Sequence, residues 1–274
     1  MKKVIYLADH DIRDYPGGAE KVDYNIYTQI PGVIFWKIHT KGQPIIEPET
    51  TYILGNSTFL TQETKNKLIQ YKNYLIFEHD YKIHYTRQPH RYPNHIFPKQ
   101  ELINLDLYSN AKVVFLQTNN HLDGFLANGI KANFVNLRTS IWNKDELHSL
   151  RSLTCKEKTT YKYCIIGNKT PDKGADIAEA FCKENNLDYD ILPSLPLQAF
   201  YAVMADYPTL VYFPRVRESF CRLVVEARCL QMNVITSKNY GAVCEPWFSK
   251  SGKELIDFLQ YNTELNLDKI KDYL

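Results

Sequence analysis

Short runs of consecutive apolar residues alternate along this chain with longer amphipathic stretches. VIYLA at Val4–Ala8 is the first run, and others occupy Gly32–Ile38, Thr51–Leu54, Tyr74–Phe77, Lys112–Gln117 and Ala132–Leu137. Between them, Ala19–Thr28, Gln62–Tyr71, Lys99–Tyr108 and His121–Asn128 carry helical spacing. Runs such as VVFLQ have no polar face, so the strands they predict are covered on both sides. Strands alternating with helices in this way predict a parallel sheet with helices on its two faces.

The rhythm pauses over Arg138–Thr160, where SIWNKDELHSLRSLTCKEKTT is polar and then basic and reads as a hinge. It restarts with strands at Tyr161–Ile166, Tyr189–Pro193, Thr209–Phe213 and Asn233–Ser237. Helices are predicted at Ala175–Asn185, Leu197–Asp206 and Ser219–Leu230, and a last one at Ser251–Leu259 leads into an acidic-basic tail. The pattern predicts an α/β protein of two doubly wound, Rossmann-like domains, 1–142 and 143–250, facing a central cleft, with a helical tail over 251–274. In such sheets ligands bind outside the carboxyl ends of the strands, where the winding order reverses. The loops after strands are therefore where chemistry is sought.

Composition narrows the classes. The 274 residues suffice for two small domains, and the net charge of +2 points to no polyanionic partner. No apolar run approaches the roughly 20 residues that span a bilayer. The first apolar run is followed by Asp9, Asp11 and Asp14, which does not fit a signal peptide, so the expected location is cytoplasmic. The six cysteines form no C-x-x-C pair and are expected to be reduced thiols. Neither G-x4-GK-[ST] nor G-x-G-x-x-G occurs, which argues against a P-loop NTPase and an NAD enzyme.

Three loops carry chemistry. In YFPRVRESFCRLVVEARCLQMNVITSKNYGAVCE, a strand ends at Phe213, a loop carries Arg215, Arg217 and Glu218, and a helix is expected from Ser219. The free N–H groups and dipole of that helix start suit a diphosphate. Arg222 in its first turn adds a charge but works against the dipole. Were the whole span helical, Glu218 and Glu226 would lie roughly 12 Å apart along the axis. Carboxylates so placed can accept hydrogen bonds from sugar hydroxyls on either side of a diphosphate. Here the sequence resembles the retaining GT-B glycosyltransferases of glycosyltransferase family 4, whose signature runs E-x-F-x-x-x-x-x-E, a P-V-I-type strand and a glycine turn closed by Glu. Glu218, Phe220, Glu226, Asn233–Ser237, Tyr240-Gly241-Ala242 and Glu245 match it. The resemblance implies that Glu218 contacts the donor sugar, Glu226 the donor ribose, and the N–H groups of Phe220, Cys221 and Arg222 the sugar or diphosphate. Cys221 stands where the family usually has Gly, and Asn233 where it often has Pro.

In CIIGNKTPDKGADIAEAF, Gly167 ends a strand and Lys173-Gly174 precedes a helix. The family pattern is G-R-x-x-x-x-K-G, whose Arg and Lys neutralise the leaving diphosphate. Lys173 matches the Lys, whereas Asn168 replaces the Arg, with Lys169, Arg217 or Arg222 as substitutes for the missing charge.

After the first strand, Gly17-Gly18 provides a backbone that can approach a ligand, and G-G-A-E resembles the amino-terminal domain of family 4 enzymes. The segment Phe77–Lys99 holds four of the eight histidines among alternating basic and aromatic residues. His79-Asp80, at a strand end, is similar to the family's sugar-facing histidine, and the pair also resembles the α-glucosyltransferases that T-even-type phages use on modified DNA. By that resemblance His79 meets the sugar and Asp80 orients the imidazole or meets the acceptor. Tyr81, His84, Arg87 and Arg91 are the candidate acceptor contacts, since basic and aromatic side chains suit phosphates, stacked bases and sugar faces.

The resemblance as a whole implies transfer from a nucleotide sugar, UDP-sugars being the commonest choice, with no cofactor or metal required. The acceptor is open: a glycan, a lipid or a modified nucleic acid. Two other readings stay open, a DNA-modifying glycosyltransferase and a sugar-nucleotide-binding protein whose catalysis has decayed, the latter on the strength of Asn168.

Overall fold

The computed structural model describes residues 3–167, 170–237 and 241–274. The chain divides into two compact units, one of residues 1–142 with 262–274, the other of residues 143–261.

The first unit is built on strands β1 (Val4–Ala8), β2 (Val33–Lys37), β3 (Thr51–Leu54), β4 (Tyr74–Phe77), β5 (Val114–Leu116) and β6 (Phe134–Asn136). Helices α1 (Gly18–Gln29), α2 (Ile38–Lys41), α3 (Gln62–Tyr71), α4 (Leu105–Ser109) and α5 (Asn119–Ala127) connect them. The sheet is parallel, in the order β2-β1-β3-β4-β5-β6. Every residue of β1, β3, β4 and β5 is buried, and successive side chains alternate between two cores. Ile5, Leu7, Tyr52, Leu54 and Ile76 point to one, and Tyr6, Ala8, Ile53, Leu75 and Phe77 to the other. This is why these strands read as unbroken apolar runs.

The second unit has α6 (Lys144–Leu153), strands β7 (Tyr163–Ile166), β8 (Tyr189–Leu192), β9 (Thr209–Tyr212) and β10 (Asn233–Thr236), and helices α7 (Ala175–Glu184), α8 (Leu197–Met204) and α9 (Arg222–Cys229). Its parallel sheet runs β10-β9-β7-β8. Winding reverses between β1 and β3 in the first sheet and between β7 and β9 in the second, which fixes where each unit can hold a ligand. Helix α10 (Gly252–Lys271) starts in the second unit and ends in the first, where Leu267 and Ile270 join the core beside Phe77 and Phe115.

Several local expectations change. Lys144–Leu153, read as hinge, is a helix opened by a capping box: Asn143 accepts from Glu146 N, and the Glu146 carboxylate accepts from Asn143 N. Lys99–Tyr108 is a 3-10 turn at Lys99–Glu101 and then α4, because Asn104 between them is left-handed at φ +60. The helix expected from Ser219 begins at Arg222, because Cys221 is left-handed at φ +69. The last helix runs to Lys271 rather than Leu259. No helix among the described residues is long and apolar enough to cross a membrane.

Candidate functional site

In the second unit the loops after β7 and β9 meet at the winding reversal. Gly174, left-handed at φ +63, closes the first loop, and a Cβ there would lie 1.9 Å from the Phe213 carbonyl oxygen. Only glycine permits this approach. Arg215 laces the loops further, its N–H donating to Asp172 O at 2.9 Å and its guanidinium to Pro171 O at 2.6 Å. Two predicted residues are thereby brought together: Lys173 Nζ donates to Glu218 Oε1 at 2.6 Å, and Tyr212 OH donates to the same oxygen at 3.2 Å. Burial works against the Lys173 charge, but Glu218 more than offsets it and holds the ammonium above the usual lysine range. A cavity of about 140 Å³, lined by Ile166, Lys173, Tyr212 and Leu223, opens beside the pair.

Backbone bonds from the turn after β10 hold the Glu218 loop, with Gly241 N donating to Glu218 O and Ala242 N to Phe220 O, each at 3.0 Å. Phe220 is buried and serves as packing for the loop, with its ring 6.1 Å from that of Trp247. Arg217 and Ser219 are half-buried on the same loop. Cys221 occupies a left-handed position at φ +69, one that glycine would adopt without strain. Gly167 closes β7 against β8: its N–H donates to Leu192 O at 2.8 Å, and a Cβ would lie 2.9 Å from Ile191. Asn168, Lys169 and Tyr240 lie outside the described residues.

Glu226, 5% exposed, accepts from Tyr201 OH at 2.8 Å and lies 3.8 Å from Arg222 Nε. Arg222 donates to both carboxylate oxygens of Glu146 at 3.1 Å. Its charge is thus engaged inside the unit by α6, a helix that reads as hinge in the sequence.

In the first unit, His79 and Asp80 come directly after β4. His79 Nε2 donates to Asp23 Oδ1 at 2.5 Å, Tyr6 OH donates to the same oxygen at 2.5 Å, and Asn56 N donates to Asp23 Oδ2 at 3.0 Å. Asp23, on α1, therefore orients the imidazole, a role the resemblance had offered to Asp80. Gly55 admits the group, since a Cβ there would lie 2.4 Å from Asp23 Oδ1. Asn56 also donates to Glu20 at 2.7 Å, and Glu20 folds over Gly17, the residue before α1. Gly17, Gly18, Asp23 and His79 thus belong to one neighbourhood at the reversal between β1 and β3. The sequence signal for Asp23 was an acid pair, Glu20 and Asp23, at i,i+3 on a buried helix face.

Glu78, which sequence reasoning missed, is fully buried and organises the segment beyond β4. It accepts from His79 N at 3.1 Å, from Asp80 N at 3.0 Å, and from Lys82 Nζ and Tyr108 OH. Burial alone would raise its pKa, but Lys82 prevails and holds it below the usual range. Asp80 faces Arg87 at 3.1 Å and Lys82 at 3.6 Å; burial, with the Glu78 charge behind it, pushes its carboxyl up. His121 Nε2 donates to Asp80 O at 2.7 Å, and burial drives its pKa down to about 4.

The four candidate acceptor residues separate. Tyr81 is 1% exposed, its ring 5.5 Å from that of Phe125 and nearly parallel to it, so it belongs to the core and cannot be an acceptor contact as expected. His84 is buried between Thr86 and Glu101, its ring stacked 4.4 Å from Phe97. Arg91 is on a 3-10 turn at Pro89–Arg91 and is exposed. Arg87, with His84 at one edge, lines a cavity of about 330 Å³ at the carboxyl ends of β3 and β4.

No protein-family model matches the sequence, and no curated protein matches it. Solved structures do. HepE of Anabaena, in complex with UDP and glucose, aligns over 100% of this chain and 92% of its own at 14% identity and a TM-score of 0.57. The trehalose-6-phosphate synthase OtsA aligns over 99% of this chain and 98% of its own, at 10% identity and a TM-score of 0.57. A UDP-forming trehalose-phosphate synthase of Burkholderia xenovorans does so over 99% and 97%, at 9% identity and 0.57. At such identities the likeness is one of fold, and the two parallel α/β units have the GT-B fold of glycosyltransferases.

Proposed function

We propose that the chain is a retaining glycosyltransferase, similar to family 4, that takes its sugar from a UDP-sugar. The observation that carries this reading is the Lys173–Glu218 pair at the winding reversal of the second sheet, beside a small cavity. An ammonium suits a diphosphate and a carboxylate suits sugar hydroxyls, and the pair offers both side by side. The UDP and UDP-sugar complexes of the similar structures favour uridine.

In this reading Lys173 and the N–H groups opening α9 stabilise the departing diphosphate, the main electrostatic task. Glu218 fixes the sugar hydroxyls and Glu226 holds the ribose. His79, held through its Nε2–H by Asp23, contacts the transferred sugar. The acceptor hydroxyl attacks from the side the diphosphate leaves, which retains the anomeric configuration. No cofactor besides the donor takes part.

The test is thermal unfolding and nucleotide release with UDP-, GDP- and ADP-glucose, for the wild type and Glu218→Ala. A donor at a hundred times its Kd adds about 2.7 kcal/mol to the stability of the state that binds it. The expected result is stabilisation and slow UDP release with the UDP-sugar, both lost in the variant. Equal responses from wild type and variant, or none to any donor, would overturn the reading.

A further inference from the structure

The 330 Å³ cavity of the first unit has a chemistry of its own. Its volume lies at the lower end for small-molecule sites, enough for a molecule of one or two rings. Leu54, Ile76 and Leu107 make an apolar floor, and Tyr85 and Tyr108 stand in the wall. Three cations line it, Lys65, Lys82 and Arg87, and no acid does. Two of them are balanced from behind, Lys82 by Glu78 and Arg87 by Asp80. Lys65 is different: its Nζ donates to the neutral Oδ1 of Asn104 at 3.0 Å, and it faces no carboxylate at ion-pair distance among the described residues. Burial disfavours its charge and lowers its pKa; Asp9 acts on it from farther off, and Asp9 is itself engaged by Thr58 and the N–H of Phe59. A part-buried lysine with no carboxylate at ion-pair distance among the described residues, over an apolar floor, is a site for an anion on an apolar body.

We propose that this cavity seats the acceptor, and that the acceptor is a small molecule bearing a phosphate or carboxylate held by Lys65 and Arg87. The acceptor role rests on the transferase reading above; the preference for an anion rests on the cavity alone. Arg87 ties the cavity to the transfer site, because its guanidinium bonds Asp80, the residue after His79. Tyr85, 70% exposed, is placed to cover the body of the bound molecule.

The experiment is calorimetric titration of the full chain with phenyl phosphate, benzoate and neutral benzyl alcohol. Lys65→Met and Lys65→Arg are compared with Arg151→Met, a control in the second unit, and each variant's melting temperature reports folding. The expected result is binding of one or both anions, weakened about tenfold or more by Lys65→Met, kept by Lys65→Arg and unchanged by Arg151→Met. Whichever of phenyl phosphate and benzoate binds more tightly identifies the group. Benzyl alcohol binding as tightly as the anions, or Lys65→Met binding them as the wild type does, overturns the proposal. The readout needs no nucleotide sugar. Donor turnover without anion binding therefore removes this inference and leaves the transferase, while anion binding without any donor response removes the acceptor role.

Discussion

Replacing Glu78 by glutamine tests the buried network that shapes the His79 segment. The carboxylate is fully buried, and the Lys82 side chain is 10% exposed. The glutamine keeps the volume and one acceptor oxygen but leaves the Lys82 ammonium with Asp80 at 3.6 Å as its remaining ion-pair partner. Breaking a buried ion pair from one side costs about 3–5 kcal/mol, and the surviving Asp80 contact places this case near the lower figure. About 3 kcal/mol corresponds to a fall of roughly 6–12 °C in melting temperature for a unit of this size. Equilibrium denaturation in guanidinium chloride, monitored by signals from the first unit, measures the loss. Glu78→Gln combined with Lys82→Met removes both charges, and should recover roughly 2 kcal/mol relative to the sum of the single losses. The pH dependence carries a sign of its own. The Glu78 pKa is depressed in the folded state, so its stabilisation is complete above the unfolded value near 4.3 and is lost as pH falls through the folded value. The gap between wild type and Glu78→Gln should therefore be full at pH 6 and close in acid. A single variant within about 0.5 kcal/mol of wild type, or a double variant that loses the full sum, would refute the argument.

Two further outcomes are expected. His121 is buried neutral with a pKa of about 4, so the folded protein loses stability as pH falls from about 6.5 towards 4, by about 3 kcal/mol at roughly 1.4 kcal/mol per unit. His121→Phe should flatten that slope in denaturant midpoints taken at pH 7 and 4.5, and parallel slopes in the two proteins would count against it. Gly174→Ala places a Cβ 1.9 Å from the Phe213 carbonyl oxygen at a left-handed position, so the β7 and β9 loops must part. The second unit should lose about 2 kcal/mol or more and become sensitive to limited proteolysis near Lys173, and wild-type melting would show that the loops do not touch.

Legibility in the sequence depends on how local each determinant is. Val4–Ala8, Thr51–Leu54 and Tyr74–Phe77 were placed to the residue, because full burial on both faces leaves an apolar run with sharp polar ends. Helix α6 was missed because its buried apolar residues, Leu147 and Leu150, make only a narrow stripe in a polar stretch. Its Asn143 and Glu146 nevertheless carried the spacing of a capping box. The late start of α9 was hidden because a left-handed cysteine has no sequence signature. Lys173 and Glu218 were singled out by the resemblance to a family signature rather than by local pattern, and the fold joins them. The Asp23–His79 bond was not, since it joins residues 56 apart and depends on how β1, β3 and β4 pair. Over Tyr81–Arg91 a chain of turns has no period, so the alternation of basic and aromatic residues gave no means of telling buried Tyr81 from exposed Arg87.

The path of α10 bears on how the protein is made. Its second half supplies Leu267 and Ile270 to the first unit's core, Thr263 accepts from Trp142 N, and Asn266 donates to Leu137 O. The amino-terminal unit leaves the ribosome first, yet it lacks these contacts until the chain has been translated past Ile270. Folding therefore cannot proceed strictly in the order of synthesis, as separate domains allow. The second unit can close on its own residues while the first waits with an apolar gap over β4 and β5, and that interval is when a nascent chain would need chaperone protection.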